Sequence, residues 1–171
     1  MSADTTPGAP RPVAGHLARR AARAFVLGLA GLWAGCGIVD SDGSGWEKDL
    51  AEARQLWRDA SLTDYDYRVR QLCFCGFGGA VIAVEVRGGE VVAATDTQSG
   101  EAIPLSQFPW AAPSVEDLFQ RIEDILEGGP AEFTATYDPL LGYPRSVSSD
   151  PIANAIDDEW GVEASDVEAM A

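Results

Sequence analysis

Residues 65–95 read YDYRVRQLCFCGFGGAVIAVEVRGGEVVAAT, and their pattern decides the fold class. Tyr65, Tyr67 and Val69 alternate with Asp66, Arg68 and Arg70, the period of a strand with one buried face. The alternation predicts a strand from Tyr65 to Cys75 that changes character at Gln71, after which Leu72 and Phe74 fall on the formerly polar side. A bulge, a bend or a strand end covered on both sides would each produce that break. Ala80–Arg87 and Glu90–Thr95 then pair across Gly88-Gly89, a dipeptide that admits the positive φ angles of a tight hairpin.

Helices flank these strands. Trp46, Leu50, Ala53, Trp57 and Ala60 recur at helical spacing behind a capping box of Ser44 and Glu47. A second helix is announced by Ser114 with Asp117 three residues on, an apolar face of Val115, Leu118, Phe119, Ile122, Ile125 and Leu126, and a Gly128-Gly129-Pro130 stop. Phe133, Ala135 and Tyr137 alternate with Glu132, Thr134 and Thr136 in a further strand, Arg145–Ser149 returns, and a weak last strand spans 160–167. Thr97–Pro113 between them reads as a long surface loop anchored by Phe108 and Trp110. The order is helix, three strands, helix, two or three strands. It predicts a single α+β domain, an antiparallel sheet with two helices packed on one face. The two halves could be distant repeats, although their residues do not match.

The first 35 residues are set apart. Arg11, Arg19, Arg20 and Arg23 precede an apolar run, Ala24–Ala34, that is shorter than the roughly 20 residues of a spanning helix. The layout is that of an export signal, and LWAGCG resembles a lipobox, with Cys36 as the lipidated residue. Trp33 departs from the aliphatic residue usual at that place. An ordinary cleaved signal or an inefficiently cleaved anchor are the alternatives. The expected organisation is a leader (1–35), a flexible tether (36–45) and the α+β domain (46–171).

Composition excludes several function classes. From Cys36 onward the chain holds 8 basic and 26 acidic residues, a surface unsuited to nucleic acid. Its one histidine, His16, lies in the leader, and Lys48 is its one lysine. Ser-His-Asp and Cys-His devices and histidine-ligated zinc are thereby excluded within one chain. No cofactor is expected.

Taken together, YDY followed by CFC (Tyr65–Tyr67, Cys73–Cys75), VEDLF (Val115–Phe119), YDP and GYP (Tyr137–Pro139, Gly142–Pro144), and Asp150 followed by DDE (Asp157–Glu159) resemble a family of uncharacterised bacterial lipoproteins. The resemblance covers almost all of the chain after the leader. It implies export and fold, and it supplies no reaction.

Three candidate sites follow. Cys73 and Cys75, the thiols left if Cys36 carries lipid, are expected to pair in an oxidising compartment. Two residues apart in a straight strand, their Cα atoms would stand about 6.6 Å apart. Disulfides prefer about 5.5–6 Å, so a bridge requires a bend there. The bridge could be structural, or it could serve thiol–disulfide exchange or redox sensing. YDPLLGYP reads as a turn in which Asp138 accepts amides, Pro139 fixes φ and Gly142 takes a conformation closed to other residues. Tyr137, Tyr143 and Pro144 flank it as core or as a recognition surface. Asp150, Asn154, Asp157, Asp158 and Glu159 supply calcium-type oxygen ligands without the spacing of a calcium loop. The expected function is an exported, lipid-anchored envelope protein, a non-catalytic binding or structural module whose partner is an envelope protein or small ligand. Thiol exchange is the alternative, and a calcium-dependent assembly module a third reading.

Overall fold

The computed structural model describes residues 44–153, 155 and 157–170. The expected leader, Cys36 and Asn154 lie outside them, as does the tether up to residue 43. The elements are α1 (Ser44–Ala60), β1 (Tyr65–Leu72), β2 (Val81–Arg87), β3 (Glu90–Asp96), a 3-10 turn (Pro109–Ala111), α2 (Val115–Gly128), β4 (Glu132–Tyr137), β5 (Pro144–Asp150) and β6 (Trp160–Ala169). All six strands form one antiparallel sheet in the order β3-β2-β1-β6-β5-β4, so the domain is α+β. Among the described residues no helix is long and apolar enough to cross a membrane.

The last strand is longer than its sequence suggests, and it is central. β6 lies between β1 and β5. Val162 and Ala164 point into the core, while Glu163 faces out and meets Arg70, its partner in register. Gly161 permits the close approach: a Cβ there would stand 3.1 Å from the Val147 carbonyl and 3.2 Å from the Leu72 Cβ.

Both helices cover one face of the sheet. α1 buries Leu50, Ala53 and Trp57, with Trp57 edge-on to Tyr65 at 5.2 Å and Trp46 edge-on to Phe133 at 5.4 Å. α2 buries Val115, Leu118, Phe119 and Ile122. Each such side chain contributes about 1.5–3 kcal/mol by leaving water. Arg54 of α1 binds Glu116 and Glu123 of α2, and the bond to Glu123 is the main cause of its raised pKa. The other face stays polar, laced by Arg68–Asp166 and Arg87–Asp66 pairs, each at 2.7 Å.

The two halves are not rotational repeats. Strands β1–β3 and β4–β6 are laid out in the same spatial order but run in opposite directions, with both helices on one side. Only a reflection relates such halves, and a chain of L-residues does not fold into its own mirror image.

The alternation in β1 does not break at Gln71. Gln71 points inward and is buried, and its side-chain amide donates to the Trp110 carbonyl. A polar residue occupies a core position because it has a partner there. The strand ends at Leu72, three residues before the expected Cys75, and the cysteines fall in the turn that follows.

Candidate functional site

The cysteines sit in a tight glycine turn. Gly78 donates to the Cys75 carbonyl at 2.9 Å and Gly79 to the Gln71 carbonyl at 2.8 Å, folding the chain back on the end of β1. A Cβ on Gly78 would collide with the Cys73 carbonyl, and Gly79 has φ +81°, so both positions require glycine. The bend brings the Cα atoms of Cys73 and Cys75 to 5.3 Å, at disulfide distance. Phe74 between them is 90 % exposed.

Across from this turn lies the N-terminal half of α2, and the YDY motif holds it there. Tyr67 donates its hydroxyl to the Pro113 carbonyl, and the Tyr65 hydroxyl accepts from the Val115 N–H. Burial pushes Tyr65 up to about 12 and Tyr67 well above the usual phenol range, so both stay neutral donors or acceptors. Ser114 and Asp117 complete the expected capping box, with Asp117 N–H donating to Ser114 Oγ at 3.1 Å and Ser114 N–H to Asp117 Oδ2 at 2.8 Å. Phe77 packs edge-on to Phe108 at 5.2 Å and against Trp110 at 5.8 Å, fixing the 3-10 turn beside the cysteines.

Between these parts opens a groove of about 410 Å³. Gln71, Cys73 and Cys75 form one wall and Pro113, Asp117, Leu118 and Arg121 another, with Trp110 and Trp160 completing it. Arg121 lies over Trp160 with its guanidinium carbon 5.5 Å from the ring centroid, a cation–π arrangement. Asp117, the one carboxylate lining the groove, is engaged in the cap of α2. The arrangement can enclose a small, mostly apolar molecule and offer it one cation.

A family model described as a family of unknown function, DUF6174, matches residues 49–169. The chain belongs to that family. The matched span takes in every strand of the sheet, all of α2 and each groove residue. Neither a curated protein nor a solved structure matches.

The other candidate positions in this DUF6174 domain fall away from the groove. Asp138 Oδ1 accepts from Leu140 and Leu141 N–H, both at 2.9 Å, and Gly142 N–H returns to the Asp138 carbonyl at 2.9 Å. This closes the turn after Pro139. Gly142 has φ +81° and its missing side chain leaves room for the Ala53 carbonyl of α1. Tyr143 and Pro144 are buried, and Tyr137 packs against the core with its hydroxyl buried and unbonded among the described residues. The segment therefore docks on α1 by its flanks and exposes Leu140 at its tip. Of the acidic group, Asp150 accepts from Ile152 N–H at 3.0 Å. Among the described residues no three acidic, cysteine or histidine side chains gather as a metal site.

A larger cavity of about 630 Å³ spans the open sheet face, where Arg70 is already neutralised by Glu163 and Arg68 by Asp166. Arg145 also lines it and forms no ion pair among the described residues, but this cavity has none of the aromatic walls of the groove.

Sequence reasoning found Cys73 and Cys75 but not Gln71, Trp110, Pro113, Asp117, Leu118, Arg121 and Trp160 as their companions. Signals were present for two of them. Arg121 is the one basic residue in an acidic helix, and Trp110 sits in a segment with no strand or helix pattern.

Proposed function

We propose that this DUF6174 protein is an exported, lipid-anchored envelope protein that binds a small ligand in the groove beside Cys73 and Cys75, without catalysing a reaction. The observation that carries the reading is the groove itself, walled by two tryptophans and the cysteine pair. Its volume falls within the range of small-molecule sites, about 300–1,000 Å³. The leader of basic and apolar residues that precedes Cys36 supports export and anchoring. In this reading the two cysteines are bridged, and the bridge holds the turn that forms one wall.

Indole NMR on the intact chain tests the binding claim. In a screen of small aromatic and aliphatic fragments, the Trp110 and Trp160 indole signals should move ahead of those of Trp33, Trp46 and Trp57. A screen in which no fragment moves them at millimolar concentration contradicts it. Intact mass of membrane-extracted protein tests anchoring, since Cys36→Ser should abolish a lipid-sized mass increment.

One observation favours thiol exchange as a second reading. Both cysteines are only half-buried and line an open groove, so another thiol can reach them. Against it, the one cation lining the groove, Arg121, lies over the Trp160 ring, and the pair lies in a strand-end turn rather than at a helix N-terminus.

A further inference from the structure

Arg121 is a cation in acidic surroundings. The sequence carries net charge −15, and α2 surrounds Arg121 with Glu116, Asp117, Glu123, Asp124 and Glu127. Yet Arg121, like Arg58 and Arg145, forms no ion pair among the described residues, and it alone of the three lines the groove. The acids nearest in sequence are engaged elsewhere. Asp117 Oδ2 accepts from Ser114 N–H at 2.8 Å and from its hydroxyl at 2.7 Å. Asp124 accepts from Gln120 at 3.0 Å, and Glu123 from Arg54.

What Arg121 has instead is the Trp160 ring, 5.5 Å away, and the groove. A guanidinium lying over an indole keeps its N–H edge free, and that edge matches a carboxylate two bonds at a time. Trp110, Pro113, Leu118 and the cysteine pair offer apolar surface beside it. The groove thus joins an apolar body site to one cation whose charge the protein leaves unpaired.

We infer that the groove selects small organic acids, an apolar and preferably flat body lying against Trp110 and Leu118 with its carboxylate on Arg121. The inference rests on the groove being a binding site and names the ligand class it takes. Trp160 acts as a platform that orients the guanidinium. Asp117 lines the same groove, but the helix cap holds one of its oxygens away from the ligand.

Calorimetric titration of the intact chain with 2-naphthoate and 2-naphthamide, a pair differing in charge but hardly in shape, tests the inference. Naphthoate should bind about tenfold more tightly, the scale of a hydrogen bond to a charged group. Arg121→Gln should remove the difference, naphthoate binding falling to the level of naphthamide. Equal binding of both compounds to the natural chain overturns the acid preference and leaves the groove standing as a site. A preference that survives in Arg121→Gln overturns the role of Arg121. Binding of neither compound at millimolar concentration overturns both the ligand class and the groove.

Discussion

The hydroxyl of Tyr65 accepts the backbone N–H of Val115 at 3.0 Å, joining the first residue of β1 to the first residue of α2. Helix first turns leave their N–H groups without intrahelical partners, and a strand residue supplies this one. With Tyr67 bound to the Pro113 carbonyl, the YDY motif seats the start of α2 on the sheet and so sets the groove wall that α2 contributes.

Tyr65→Phe removes the acceptor and leaves the Val115 N–H buried. The expected loss is about 1–3 kcal/mol in urea denaturation, with the slope against denaturant unchanged. A stability equal to that of the natural protein would show that water reaches Val115 and that Tyr65 only packs.

Alkaline pH should destabilise the domain through Tyr65 and Tyr137. Burial raises Tyr65 and Tyr137 from 10.0 to about 12, and the nearby Asp49 adds to the shift of Tyr137. Between those values the unfolded chain has released protons that the folded chain retains, so stability is full below pH 10 and falls as pH rises to 12. Denaturation midpoints across that window, with phenolate absorbance followed in parallel, check the sign. A flat profile contradicts the buried, neutral state of these rings.

Gly142→Ala should be among the costliest single changes in the chain. The new Cβ would collide with the Ala53 carbonyl, stand 2.8 Å from the Leu56 Cβ and sit on a φ of +81°. The backbone conformation alone costs about 1–2 kcal/mol for an L-residue, and the collision with α1 adds to it. A total loss of about 3 kcal/mol or more is expected by thermal or urea unfolding. A change within about 0.5 kcal/mol would mean that the Asp138–Gly142 turn is not docked on α1.

Much of this architecture could be read from residue patterns because local chemistry and tertiary packing agree. The Ser114–Asp117 cap, the apolar face of α2 and the Gly88-Gly89 hairpin all stand where their residues place them, with Gly88 and Gly89 at φ +60° and +83°. Where the two disagree, the pattern misleads. Gln71 looks like the end of an alternating run, yet it is a core residue because Trp110 offers it a carbonyl. The segment WGVEASDVEA looks weak because its outward positions are acidic or small, but Arg68 and Arg70 on the neighbouring strand neutralise that face and make a centre strand of it. The groove was hidden for the same reason. Its walls come from β1, the 3-10 turn, α2 and β6, and only the sheet order brings the last of these to the first.

Removing the cysteine bridge should cost little stability. In the proposed reading it closes a loop between residues two apart, for which chain entropy gives about 1.5 kcal/mol. Cys73→Ser with Cys75→Ser should therefore remain folded, with a urea midpoint lowered by that amount and weaker binding in the groove. Complete unfolding would show that the turn anchors more than its own loop.

The most direct test of the account is a redox titration of the chain carrying Cys36→Ser, followed by thiol alkylation and intact mass. A structural bridge between Cys73 and Cys75 predicts a pair that stays oxidised down to about −300 mV. A pair that opens near about −200 mV would contradict a purely structural bridge and make thiol exchange the function to pursue.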